Sequence, residues 1–233
     1  MTQVKTIRYA WREGVRRDHF IDDERPDEPH PTAYYVWLVS SPGHTVLVDT
    51  GMGPAANRVP GLHRGPPVVD SLRALGVAPE SVETVVLTHL HYDHTGGVRD
   101  FPRARYILQR SEVDELAESW LVDKADVDYL FDSNRLHLVD GDTEVAPGIT
   151  VHHVGGHTPG MQVVRVRTDA GHVVVASDAS HFHENLRRWR PSPHTYSVPD
   201  ALRAFERVTE LADGPHLILP GHDPAVLAHQ AAP

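Results

Sequence analysis

The chain has 233 residues, 40% of them hydrophobic and 23% charged, which suits one soluble domain spanning 1–233 with a sizeable core. A formal charge of −10 argues against nucleic acid, whose binding rests on Lys and Arg neutralising phosphates, and the lack of any long apolar run predicts no membrane span. Zero cysteines exclude disulfides, thiolate metal ligands and thiol nucleophiles.

In chain order, the first eight residues lack the apolar core of a secretory signal, so a cytoplasmic location is expected. Residues 18–31 are rich in charge and proline and read as an irregular loop. Residues 34–39 and 45–48 read as adjacent buried strands, joined through the turn-forming Ser40-Ser41-Pro42-Gly43. Residues 52–67, dense in glycine and proline, are a second irregular stretch. Helical apolar spacing over 68–75 predicts a helix closed by Gly76. Residues 82–87 and 104–108 predict strands, and Ser111 opens a helix with Asp114 placed as in a capping box. Strands are predicted over 151–154, 163–166 and 173–176, then a helix from Pro199 to about Ala212, then a last strand over 217–219. The two halves echo each other, as expected for a sandwich of two mixed sheets with helices outside.

The strand over 82–87 leads into Thr88-His89-Leu90-His91-Tyr92-Asp93-His94-Thr95-Gly96-Gly97, which packs three imidazoles and a carboxylate into six residues. Nitrogen and oxygen donors of this kind suit borderline first-row metals such as zinc, whereas calcium and magnesium prefer oxygen. With 18 histidines in the chain, a histidine-rich solvent loop is the alternative. Three later turns favour a metal: His157-Thr158-Pro159-Gly160, Ala176-Ser177-Asp178-Ala179 and Pro220-Gly221-His222-Asp223. Each follows a predicted strand, so all can meet at one edge of a rigid scaffold. Strand alternation would aim His89 and His91 together, while Asp93 and His94, at the turn into a helix, would face a second position. Asp49, ending the run Val46-Leu47-Val48, reads as an orienter of ligands. His152 and His153 read as strand residues without a site role. His19, His30 and His194 carry no motif and read as surface or satisfied core positions.

This set of residues resembles the ligand set of the dinuclear metallo-β-lactamase-fold hydrolases, in order over about 33–224. The words Gly155-Gly156-His157-Thr158-Pro159-Gly160 and Ser177-Asp178-Ala179-Ser180-His181-Phe182 are most similar to the N-acyl homoserine lactonases and 4-pyridoxolactonases. The resemblance implies an α/β fold, the αβ/βα sandwich of two mixed sheets. It implies two divalent metal ions, Zn2+ first, with Fe, Co or Mn able to take the same ligands. His89, His91 and His157 would hold one metal, Asp93, His94 and His222 the other, and Asp178 would bridge. Such a pair supplies a hydroxide nucleophile at neutral pH and a Lewis acid for a carbonyl. The implied function is hydrolytic opening of a lactone, with Asp93 also shuttling the proton. The implied partner is a small-molecule lactone rather than nucleic acid or membrane, acted on by a monomer or homodimer. The two irregular stretches would border the active-site mouth.

The chain departs from that group twice. His181 stands where the lactonases typically carry a carbonyl-polarising tyrosine; a histidine can donate in its place, with a strength that varies with pH. Met161 stands where relatives often have another histidine. The competing readings are a thioester hydrolase of the glyoxalase II type, weakened by the eleven residues left after His222, and a non-catalytic metal-binding or sensing domain, weakened by the complete ligand set.

Overall fold

The computed structural model describes residues 1–53, 59–114 and 121–230. Seven strands make the first sheet: β1 (Gln3–Arg12), β2 (Thr32–Ser41), β3 (His44–Val48), β4 (Leu62–Arg64), β5 (Thr84–Val86), β6 (Arg105–Gln109) and β7 (Leu136–Val139). Their order is β4-β1-β2-β3-β5-β6-β7, antiparallel from β4 to β3 and parallel from β3 to β7. The second sheet holds β8 (Thr143–Ala146), β9 (Ile149–His153), β10 (Gln162–Thr168), β11 (Gly171–Ser177) and β12 (Ile218–Pro220) in the order β12-β11-β10-β9-β8. Only β11 and β12 pair in parallel there. The helices are α1 (Val68–Ala74), α2 (Tyr92–Thr95), α3 (Arg110–Asp114), α4 (Lys124–Asp132), α5 (His183–Arg188), α6 (Val198–Leu211) and α7 (Ala225–Gln230).

Side-chain alternation explains the layers. On β2, Tyr35, Trp37 and Val39 face the second sheet and pack with Val151, Val164 and Val175. Tyr34, Val36 and Leu38 face the other way and pack with Leu72 of α1 and Val127 and Leu130 of α4. The outer face of the second sheet, through Val163 and Val174, meets Val208 and Leu211 of α6. That helix buries Ala201, Ala204, Phe205, Val208 and Leu211, an i, i+3, i+4 stripe. The expected αβ/βα sandwich is therefore the fold.

Several boundaries differ from the sequence expectation. Strands β1, β4, β7 and β8 and helices α4, α5 and α7 were not predicted; β1 mixes Lys and Arg with its apolar residues and β7 has four residues. Helix α3 starts at Arg110, and the Ser111 hydroxyl meets His153 Nε2 (3.4 Å) rather than capping the helix. Helix α6 starts at Val198, capped by Ser197, whose Oγ accepts from the Asp200 amide. Met161 is fully buried in the outer core of the second sheet, so it serves packing. Part of the second irregular stretch, 54–58, lies outside the described residues.

Candidate metal centre

Strand β5 ends at Val86, so the pleat does not aim His89 and His91. Hydrogen bonds within the following loop do. The Thr88 amide donates to Asp49 Oδ1 (2.8 Å) and the Leu90 amide to Glu112 Oε1 (3.0 Å). Glu112 also accepts from Thr158 Oγ1 (2.6 Å) and the Gly160 amide (2.9 Å), joining the loop of His89 and His91 to that of His157. A Cβ on Gly160 would lie 2.2 Å from the Glu112 amide nitrogen, so only glycine allows this approach. His91 stands at the N-cap position of the short helix α2, which carries Asp93 in its first turn and His94 in its last.

Asp49 and Ser177 close β3 and β11 with left-handed backbones (φ 62° and 46°), a strain of about 1–3 kcal/mol each that clusters at functional sites. Their side chains meet: Ser177 Oγ donates to Asp49 Oδ2 (3.3 Å), which is also 2.8 Å from His94 Nδ1. Asp49 thus orients His94, in the position read for it from sequence. The turn after β12 brings in His222, whose Nδ1 donates to the Ala33 carbonyl (2.9 Å). Gly221 is required here as well, since a Cβ would sit 2.1 Å from Asp178 Oδ1.

All seven predicted ligands converge. His89 Nε2 and His157 Nε2 each lie 3.0 Å from His91 Nδ1. Asp178 Oδ2 lies 3.6 Å from His94 Nε2, 3.5 Å from His157 Nε2 and 3.2 Å from His222 Nε2. Asp93 Oδ2 is 3.5 Å from His94 Nε2 and 3.9 Å from His222 Nε2. The ligand atoms of His89, His91 and His157 lie within 4.8 Å of one another, as do those of Asp93, Asp178 and His222. His152 and His153 stay outside: His152 pairs with Asp142 (2.7 Å), and His153 contacts the Pro159 carbonyl (2.9 Å).

The electrostatics suit a cation. Burial and neighbouring imidazoles hold His89 well below its usual pKa, and burial brings His91 down to about 4, so both are neutral donors. Burial works against charge at Asp178, yet the imidazoles of His222, His181 and His94 outweigh it and keep this carboxyl well below the usual range. His94 Nε2, Asp178 Oδ1 and His181 Nε2 are buried and make no hydrogen bond among the described residues. Inward-facing donor atoms without protein partners, beside buried carboxylates, are what a metal-binding cluster requires.

The cluster floors a cavity of about 380 Å³. Both irregular stretches reach it, the first through Asp18 and His19 and the second through Val59 and Pro60. His181 lines it as well. Arg12, Tyr34 and Tyr92 also line the wall, and sequence reading gave them no site role. It also missed Glu112 and His19. His19 is buried against His181, with Nδ1 to Nδ1 at 3.0 Å. No spacing in the chain marks His19, because the fold alone brings it to His181, 162 positions away.

Sandwich and cluster together define a metal-dependent hydrolase scaffold, and the comparisons agree. The chain belongs to the metallo-beta-lactamase superfamily, which it matches over residues 30–222. It is 29% identical over 217 residues to an N-acyl homoserine lactonase of a Bacillus species, covering 85% of this chain and 84% of the relative. A solved N-acyl homoserine lactone hydrolase, with N-hexanoyl-L-homoserine at its catalytic metal center, superposes with a TM-score of 0.82 at 23% identity, over 97% of this chain and 94% of that one. A quorum-quenching N-acyl homoserine lactone lactonase superposes with a TM-score of 0.81 at 25% identity, over 95% and 92%.

Proposed function

We propose that this protein is a dinuclear metal-dependent hydrolase that opens a lactone ring, with N-acyl homoserine lactones the first candidates. The convergence of seven imidazole and carboxylate donors from both sheets beneath one cavity carries this reading. His89, His91 and His157 would hold one cation, Asp93, His94 and His222 the other, with Asp178 between them. Zinc suits a shell of imidazole and carboxylate without thiolate, and iron, cobalt or manganese can take the same ligands. Bound there, the cations supply Lewis acidity toward the ester carbonyl and activate water at neutral pH.

The remaining chemistry belongs to the chain. The carboxyl of Asp93, held below its usual pKa by His94 against the effect of burial, is an ionised base at the cavity wall. It accepts the proton of the attacking water and returns it to the ring oxygen as the acyl C–O bond breaks, leaving a hydroxy acid. The lining favours an uncharged substrate. Arg12 is paired with Asp18 (2.8 Å) and so is not a spare cation for an anionic thioester such as a glutathione conjugate. A panel of lactones, thioesters and β-lactams, assayed for acid release with metal-quantified protein, tests the reading. Lactones should turn over fastest, with about two metals per chain; thioester turnover without lactone turnover would overturn it.

A further inference from the structure

His181 and His19 face each other through their Nδ1 atoms at 3.0 Å, both rings buried. At that distance one nitrogen carries the proton and the other the lone pair. The Thr32 hydroxyl lies 2.8 Å from His19 Nε2 and 3.4 Å from the His30 carbonyl, so it can accept from His19 Nε2–H while its own proton is directed to that carbonyl. A neutral His19 protonated at Nε2 has its lone pair on Nδ1 and accepts from His181 Nδ1–H. The lone pair of His181 then sits on Nε2. That nitrogen is buried, makes no hydrogen bond among the described residues, and lies 3.5 Å from Asp178 Oδ2. The ligand atoms of His157, Asp178 and His181 form a third group within 4.8 Å.

We propose that His181 is an eighth metal-binding residue, its Nε2 completing the shell of a cation held by His157 and Asp178, and that His19 with Thr32 forms the relay that fixes its tautomer. The inference rests on the dinuclear reading above. It reverses the role expected from sequence, because a nitrogen presenting a lone pair cannot donate a proton to a substrate carbonyl. Metal-binding histidines are commonly oriented in this way, with the second ring nitrogen donating to a fixed acceptor. Here the acceptor is another histidine, itself anchored to a hydroxyl on β2. His19 is a positioning residue that touches neither cation nor substrate.

Cobalt substitution tests this without relying on turnover. The cobalt content of the wild-type chain is measured first; a protein that binds no cobalt or zinc overturns the dinuclear reading, and this proposal with it. In a protein that binds two, His181→Ala should change the visible absorption of the cobalt form and weaken one of the two ions in chelator competition. His19→Leu should weaken the same ion by roughly 10–100-fold, the usual range for loss of a ligand's orienting partner. His19→Gln, whose amide oxygen can accept from His181 Nδ1–H, should restore much of that loss. An unchanged spectrum and unchanged affinities in His181→Ala, with only turnover reduced, would overturn the proposal and leave His181 as a substrate donor. Should the variants fail to fold, histidine 15N shifts of the zinc-loaded wild type decide. A protonated Nδ1 and metal-shifted Nε2 at His181 support the proposal, and a protonated Nε2 overturns it.

Discussion

Asp178 Oδ2 has the Nε2 atoms of His94, His157, His181 and His222 all within 3.6 Å, so one carboxylate neutralises positive charge arriving from both sheets. An amide of the same shape cannot do this. Asp178→Asn should keep the fold, yet lose at least about a hundred-fold in turnover or one metal per chain, since losing even an outer partner of a ligand costs roughly 10–100-fold. Near-normal rate with full metal content would remove Asp178 from its place. His152→Ala is the matched control. That histidine is spent on Asp142 and on Thr150 Oγ1 (2.8 Å), so metal content and rate should hold. Loss of metal in that variant would put the assignment of His157 in error.

At the scale of elements, Glu112 on α3 staples the loops that carry three proposed ligands. Glu112→Ala leaves the Leu90 and Gly160 amides and the Thr158 hydroxyl without their acceptor, at about 1–3 kcal/mol for each buried group left unpaired. Denaturant unfolding should show a loss of about 3 kcal/mol or more, and metal affinity should fall; an unmoved midpoint would mean the loops stand without it. Helix α4 supplies a pH signature. Burial, with Asp123 nearby, pushes the Asp126 carboxyl up to about 6. Because the folded pKa lies above the unfolded one, its contribution to stability is full below about pH 4 and is lost as pH rises through 6. Asp126→Asn should therefore melt higher than wild type above pH 6 and match it near pH 4; an equal gap at both would assign the effect to packing.

At the scale of the molecule, the proposed ligands belong to both halves: His89, His91, Asp93 and His94 follow the first sheet, and His157, Asp178 and His222 follow strands of the second. Cations bound there would tie the two sheets together at one edge. A ligand that binds only the folded chain stabilises it by about 2.7 kcal/mol at a hundred times its Kd, and each kcal/mol moves the Tm of a chain this size by about 2–4 °C. Chelation should thus lower the Tm by about 5–10 °C, and re-addition of zinc should restore it. A Tm indifferent to chelator would mean the cluster holds no structural charge partner. Among the described residues, no helix is long and apolar enough to cross a membrane.

Local chemistry in the sequence determined much of this. Histidines and aspartates placed just after apolar β-branched runs announce a metal site at a sheet edge, because strand ends are where the backbone leaves the ladder and side chains become available. The apolar run of β2 and the approximate extent of α6 were legible for the same reason: each is written in consecutive residues. Only the tertiary structure decided which side chains hold those ligands in place. Glu112, His19 and Thr32 act through contacts 13 to 162 positions apart, and no local pattern encodes such pairs. The tautomer proposed for His181 rests on His19 and on the Thr32 hydroxyl, neighbours that only packing brings together and that residue type alone does not reveal.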